Sequence, residues 1–181
     1  MSGENKMRNF RLALLPLLLL LVGCANYRVT TPLEQPLSEN TYWYIGDIVD
    51  ALPADTELED RPDEFVIDQL RGMIYAELVK RATIGKMGVT PDDADLLVTG
   101  SILEYKKGSG FLRFLIGFGA GNAVVTVELK AADTKTGKTV FAGNFKQTVS
   151  SWSETGDKCF ERIAKDFAKA VEKEQKKLTK N

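Results

Sequence analysis

The chain has 181 residues, 24 lysines and arginines against 25 aspartates and glutamates, a formal charge of −1 and no histidine. Balanced, mixed charge argues against a nucleic-acid surface, which is strongly basic. The missing histidine excludes Ser-His-Asp and Cys-His catalysis and any histidine-containing metal site.

Lys6, Arg8 and Arg11 form a positive flank before an apolar run from Leu12 to Val22, broken only by Ala13 and Pro16 and closed by Gly23 and Cys24. This is the layout of a secretory signal, and the run is about half the roughly 20 residues that a membrane-spanning helix needs. Leu21-Val22-Gly23-Cys24 resembles a lipobox, the site where a bacterial prolipoprotein is acylated on cysteine and cut just before it. The resemblance implies residues 1–23 as a signal peptide. It also implies a diacylglycerol and an N-linked palmitate-type chain on Cys24, which together anchor stably where a single chain does not. Ala25 follows the cysteine, not the Asp that retains such proteins in the inner membrane. The implied location is the periplasmic face of the outer membrane. With Cys24 acylated, Cys159 has no disulfide partner and reads as a small hydrophobe ahead of the last helix.

Asn26 to Asn40 carries Pro32 and Pro36 and no apolar period. It is expected to be a lipidated tether (residues 24–40) that holds the domain up to a few tens of ångströms from the bilayer, at roughly 3 Å per residue. A single domain then spans residues 41–181. Thr41 to Val49 reads as a strand with Trp43 and Ile45 on one face and Tyr42 and Tyr44 on the other. Pro62 starts a helix that runs to about Ile84, with Phe65, Ile67, Leu70, Ile74, Leu78 and Arg81 near one face and Gly85 as its stop. Asp92, Asp93 and Asp95 read as turn formers, because the spacing lacks the glycine and distal glutamate of a calcium loop. No metal site and no cofactor is expected.

Asp95 to Lys106 is a second strand, apolar on both sides in its first half. Lys107 to Asn122 is a glycine-bracketed apolar cluster of Phe111, Leu112, Phe114, Leu115, Ile116 and Phe118. It lacks the strand-to-helix context and the Gly-Lys-Ser/Thr of a phosphate loop. Three placements fit: folded back on its own core, exposed as a partner-binding contact, or dipping into the bilayer, which it is too short to span as a helix. Ala123 to Ala132 and Thr139 to Ser150 alternate cleanly, and the short Asp133 to Lys138 turn makes them an antiparallel hairpin. Phe160, Ile163, Ala164, Phe167, Val171 and Leu178 form the apolar stripe of a closing helix that Asp157 or Thr155 can cap.

The order β-α-β-β-β-α predicts an α+β two-layer sandwich, with a mostly antiparallel sheet of about four strands and two helices on one face. Ala94-Asp95-Leu96-Leu97-Val98-Thr99-Gly100-Ser101-Ile102 is similar to a strand of lipoproteins of the curli-secretion-channel and peptidoglycan-synthase-activator type. Gly117-Phe118-Gly119-Ala120-Gly121, with the alternating strand and the Asp133 to Lys138 turn, resembles a family of small bacterial lipoproteins (DUF4410) over about Tyr42 to Leu178. The resemblance implies a lipoprotein with no catalytic residues to carry over.

The expected function is a non-enzymatic interaction or assembly module of the cell envelope, held to the membrane by lipid on Cys24. It would meet an envelope protein or further copies of itself, and no nucleic acid. The alternative is a subunit of an oligomeric secretion or pore-forming complex. An enzyme fits less well, because the carboxylates fall in turns and helix starts and no serine sits in a nucleophile elbow.

Overall fold

A computed structural model describes residues 26–108, 121–149 and 157–180. The strands are β1 (Tyr27–Thr31), β2 (Tyr42–Asp50), β3 (Lys86–Met87), β4 (Leu96–Lys106), β5 (Ala123–Asp133) and β6 (Thr139–Val149). The helices are α1 (Glu64–Val79), between β2 and β3, and α2 (Asp157–Leu178), after β6. The strands form one sheet in the order β1-β6-β5-β4-β2-β3. Both helices pack on its core face and on each other, α1 against β2 and β3 and α2 against β5 and β6.

The α+β class, the two helices and their shared face agree with the sequence reading; the strand count does not, and the mostly antiparallel pairing does so only in part. The sheet has six strands where about four were expected. The segment read as a tether supplies β1, which pairs antiparallel with β6. The two-residue β3 adds the opposite edge. Nor is the sheet antiparallel throughout, since β2 runs parallel to both β3 and β4. The reason is connectivity: α1 crosses over between β2 and β4, and a crossover of this length returns the chain in the same direction.

Alternation decides which face is buried. Val125, Val127, Leu129 and Ala131 of β5 are fully buried, while the residues between them are half-exposed. A bulge between Ile45 and Ile48 resets the alternation in β2, so that Trp43, Ile45 and Ile48 all reach the core. Phe141 and Phe145 of β6 meet Phe167 of α2 edge-on at 5.8 and 5.7 Å. Cys159 is fully buried, its Sγ 3.9 Å from the Ala123 carbonyl and 3.8 Å from that of Gln147.

Asp63 caps α1, its Oδ1 accepting the Val66 N–H at 2.8 Å. The helix stops at Val79, short of the expected Ile84, and a 3-10 turn over Ala82–Ile84 follows. That turn drops Ile84 into the core, where its carbonyl accepts the indole N–H of buried Trp43 at 2.7 Å. Gly85 continues from it with φ 127° and ψ −162°, a region that only glycine occupies readily. A Cβ there would collide with the Thr41 carbonyl and stand 2.8 Å from Trp43 Nε1.

Gly85→Ala is expected to cost about 2–3 kcal/mol through backbone strain and this collision. Denaturant unfolding checks it, and a loss below about 0.5 kcal/mol would contradict the account.

Candidate functional site

The residues singled out from sequence, Cys24 and Phe111, Leu112, Phe114, Leu115, Ile116 and Phe118, lie outside the described residues, as do Trp152 and Thr155. Among the described residues the candidate surface is another one, the outer side of α1. Its inner side is ordinary: Leu70, Ile74 and Leu78, four apart, are buried. On the opposite side Phe65 is 69% exposed, Tyr75 48% and Val79 54%. Gly72 lies between them, and a Cβ added there would meet nothing within 4 Å. Phe65, Gly72 and Val79 are seven apart and therefore line up along the helix.

This corrects the expectation that Phe65 joins the buried stripe. Five residues separate it from Leu70, which is about 140° around a helix of 3.6 residues per turn. A spacing of seven was the signal in the sequence that would have found the ridge. Beside the ridge runs an open groove of about 370 Å³ lined by Tyr44, Ile45, Asp68, Arg71, Gly72, Tyr75, Met87, Gly88 and Val89. Val89, 88% exposed, forms its far rim. Arg71 spans the floor, bonded to Asp68 at 3.1 Å and reaching the Ile45 carbonyl at 3.5 Å.

The sheet face away from the helices carries charged pairs among exposed apolar residues such as Val49 and Leu103. Glu104 accepts hydrogen bonds from Lys146 Nζ at 2.9 Å and Thr126 Oγ1 at 3.0 Å. The bond from Lys146 outweighs the opposing effect of burial, and with Thr126 and the nearby lysines it holds the Glu104 carboxyl below the usual glutamate pKa. Glu128 pairs with Lys130 at 2.7 Å. These are matched ion pairs, an arrangement suited to a wet sheet face. A groove of about 320 Å³ at the β5–β6 turn is bounded by Leu33, Glu34, Leu37, Asp95, Thr136 and Lys138, among others. Asp95 accepts the Tyr42 N–H at 3.0 Å and Asp93 accepts the Thr90 hydroxyl at 2.7 Å, so both acids serve the turn. Among the described residues no group of three or more Cys, Asp or Glu converges on a metal position. No described helix is long and apolar enough to cross a membrane.

Arg81 joins the helices, binding Glu77 at 2.9 Å and Glu172 of α2 at 3.5 Å. Asp166, half-buried on α2, accepts the Gln147 amide at 2.6 Å. Burial raises its pKa, only partly offset by Lys169, Gln147 and Lys165. A folded pKa above the unfolded value means that the fold penalises the charged form. The contribution to stability is full below the unfolded aspartate pKa of about 3.9 and is lost as pH rises through the raised value. Asp166→Asn keeps an oxygen for Gln147 and is expected to raise Tm at neutral pH while leaving it unchanged in acid. An unchanged neutral-pH Tm in calorimetry would contradict this.

The family described as Domain of unknown function (DUF4410) matches residues 37–155. No curated protein matches the chain. Among solved structures the fold is similar to a variant PelC dodecamer from Paraburkholderia phytofirmans, with 13% identity, 80% of this chain and 97% of that one covered, and a TM-score of 0.55. The PelC dodecamer of the same organism in another crystal form gives 14%, 77%, 96% and 0.52. Lipoprotein GNA1162 from Neisseria meningitidis aligns at 10% identity over 73% of this chain and 99% of that one, with a TM-score of 0.43. At these identities the likeness is one of fold. By the family match over residues 37–155, the chain belongs to the DUF4410 domain family.

Proposed function

We propose that this chain is a lipid-anchored envelope protein, held at the periplasmic face of the outer membrane through Cys24, and that it works without catalysis by docking another protein or a further copy of itself. The observation that carries the reading is the outer side of α1. A helix packed on one side normally turns polar residues outward, yet Phe65, Tyr75 and Val79 face solvent beside an open groove. Exposed apolar ridges rimmed by polar groups mark protein contacts. The anchor half of the reading is supported by the positive flank, apolar run and Leu21-Val22-Gly23-Cys24 exit. The non-enzymatic half is supported by the lack of histidine and by the matched pairing of the polar clusters.

One observation favours a second version, in which the occupant of the ridge is a neighbouring copy in a closed assembly. The two PelC structures of similar fold are dodecamers. An interface that joins different faces of successive copies closes into a ring when the rotation permits.

Photo-crosslinking groups at Phe65 and Tyr75 of the membrane-bound protein test both versions. The expected outcome is a discrete adduct, at the mass of a copy of the chain or of one particular envelope protein. Phe65→Asp with Val79→Asp is expected to abolish it with stability changed by less than about 0.5 kcal/mol, as usual for exposed positions. Absence of any adduct from either position would contradict the docking role.

A further inference from the structure

We propose that the corner of the domain where β1 begins, β5 begins and β6 ends lies directly against a phospholipid surface, with almost no slack between lipid and fold. This rests on the lipid-anchored reading above and adds the orientation of the domain to it.

The argument is one of reach. Asn26 already belongs to the sheet: its carbonyl accepts the Lys146 N–H at 2.8 Å, and its side-chain amide donates to Gln147 Oε1 at 3.4 Å. Tyr27 pairs with Phe145, and the two rings stack at 5.6 Å. Only Ala25 separates Cys24 from Asn26. Two residues of extended chain span at most about 7 Å, so the backbone of an acylated Cys24 is confined to that distance from Asn26.

The register shows what is at the same level. From Lys146, β6 runs on to Thr148 and Val149, which pair with Val124 and Ala123 of β5, and Val124 pairs with Lys106 of β4. The start of α2 joins this corner through Cys159, packed on the Ala123 and Gln147 carbonyls. Gly108 and Gly121 stand at this end of β4 and β5. Lys146 and Lys158 at the corner are each matched by a carboxylate, Glu104 at 2.9 Å and Glu161 at 2.6 Å. The acidic loop that follows β2 sits at this end too, where Leu52, Pro53, Thr56 and Asp60 line a groove with Lys106, Gly108, Gly121 and Val124, on the β4 side of the corner and away from β1. The β5–β6 turn lies at the far end of strands of 11 residues, roughly 35 Å away at about 3.4 Å per residue.

The test uses the full acylated chain in phosphatidylethanolamine–phosphatidylglycerol vesicles containing lipids with nitroxide headgroups. Mass spectrometry first establishes the acyl groups on Cys24. A fluorophore is then placed on Lys106→Cys or Thr148→Cys at the near end, or on Asp92→Cys or Thr136→Cys at the far end, while buried Cys159 stays unlabelled. Several-fold stronger quenching at 106 and 148 than at 92 and 136 is expected, and a long Gly-Ser insertion between Ala25 and Asn26 should erase the contrast. Equal quenching at both ends, or stronger quenching at 92 and 136, in acylated protein would overturn the orientation and leave the anchor standing. A Cys24 without acyl groups would overturn the anchor and the orientation together.

Discussion

Everything at the N-terminal side of this domain depends on how firmly the first described residues are held by the end of the chain. β1 takes its hydrogen bonds from β6. Further on, Leu33 is buried, and Gln175 near the end of α2 grips Leu37 from both sides of the backbone. Its Oε1 accepts the Leu37 N–H at 2.6 Å and its Nε2 donates to the Leu37 carbonyl at 2.8 Å. Gln175 is itself buried, and a buried amide left unpaired is costly, so each partner needs the other. The segment from Asn26 to Leu37 thus runs the length of the fold and is fixed at both ends. A stretch that might have kept the domain at a distance from a membrane is part of its sheet.

The two helices behave differently for reasons visible in their side chains. α2 concentrates Phe160, Ile163, Ala164, Phe167, Ala168 and Val171 on one side and lysines and glutamates on the other, and it buries the first set completely. α1 spreads its apolar residues around the axis, so one packed side leaves Phe65, Tyr75 and Val79 uncovered. The sheet shows the same division of labour. Its inner face is core, and its outer face is occupied by Glu104, Lys146, Glu128 and Lys130 in mutual pairs. Among the described residues α1 therefore carries an apolar ridge, and the outer sheet face carries ion pairs, with Val49 of β2 and Leu103 of β4 also exposed.

Most of the core was legible in the sequence. The alternation of Val125, Val127, Leu129 and Ala131 identified β5 and its wet face, and the 3.6-residue stripe identified α2, because both elements have one packed side and one wet side. Trp43 and Ile45 were read as sharing a face, and both are buried. What escaped had weak or non-local signals. Tyr27, Val29 and Thr31 alternate with exposed Arg28 and Thr30, but over five residues beside two prolines such a pattern is hard to tell from a linker. The parallel pairing of β2 with β4 is set by where the crossover puts the chain, which no local window contains. Phe65 was misplaced because a helix with apolar residues all round has no single preferred face to read. The Phe111 to Phe118 segment and Cys24 lie outside the described residues.

The central claim is that Tyr27–Thr31 is a strand of the domain and leaves an anchor at Cys24 no free length. Hydrogen exchange on the acylated protein in vesicles measures it most directly. The account predicts that the amides of this segment that point into the sheet are protected by orders of magnitude relative to an unstructured chain, together with their β6 partners around Gly143 and Phe145. Exchange of the whole segment at the unstructured rate, with β5 and β6 still protected, would contradict it.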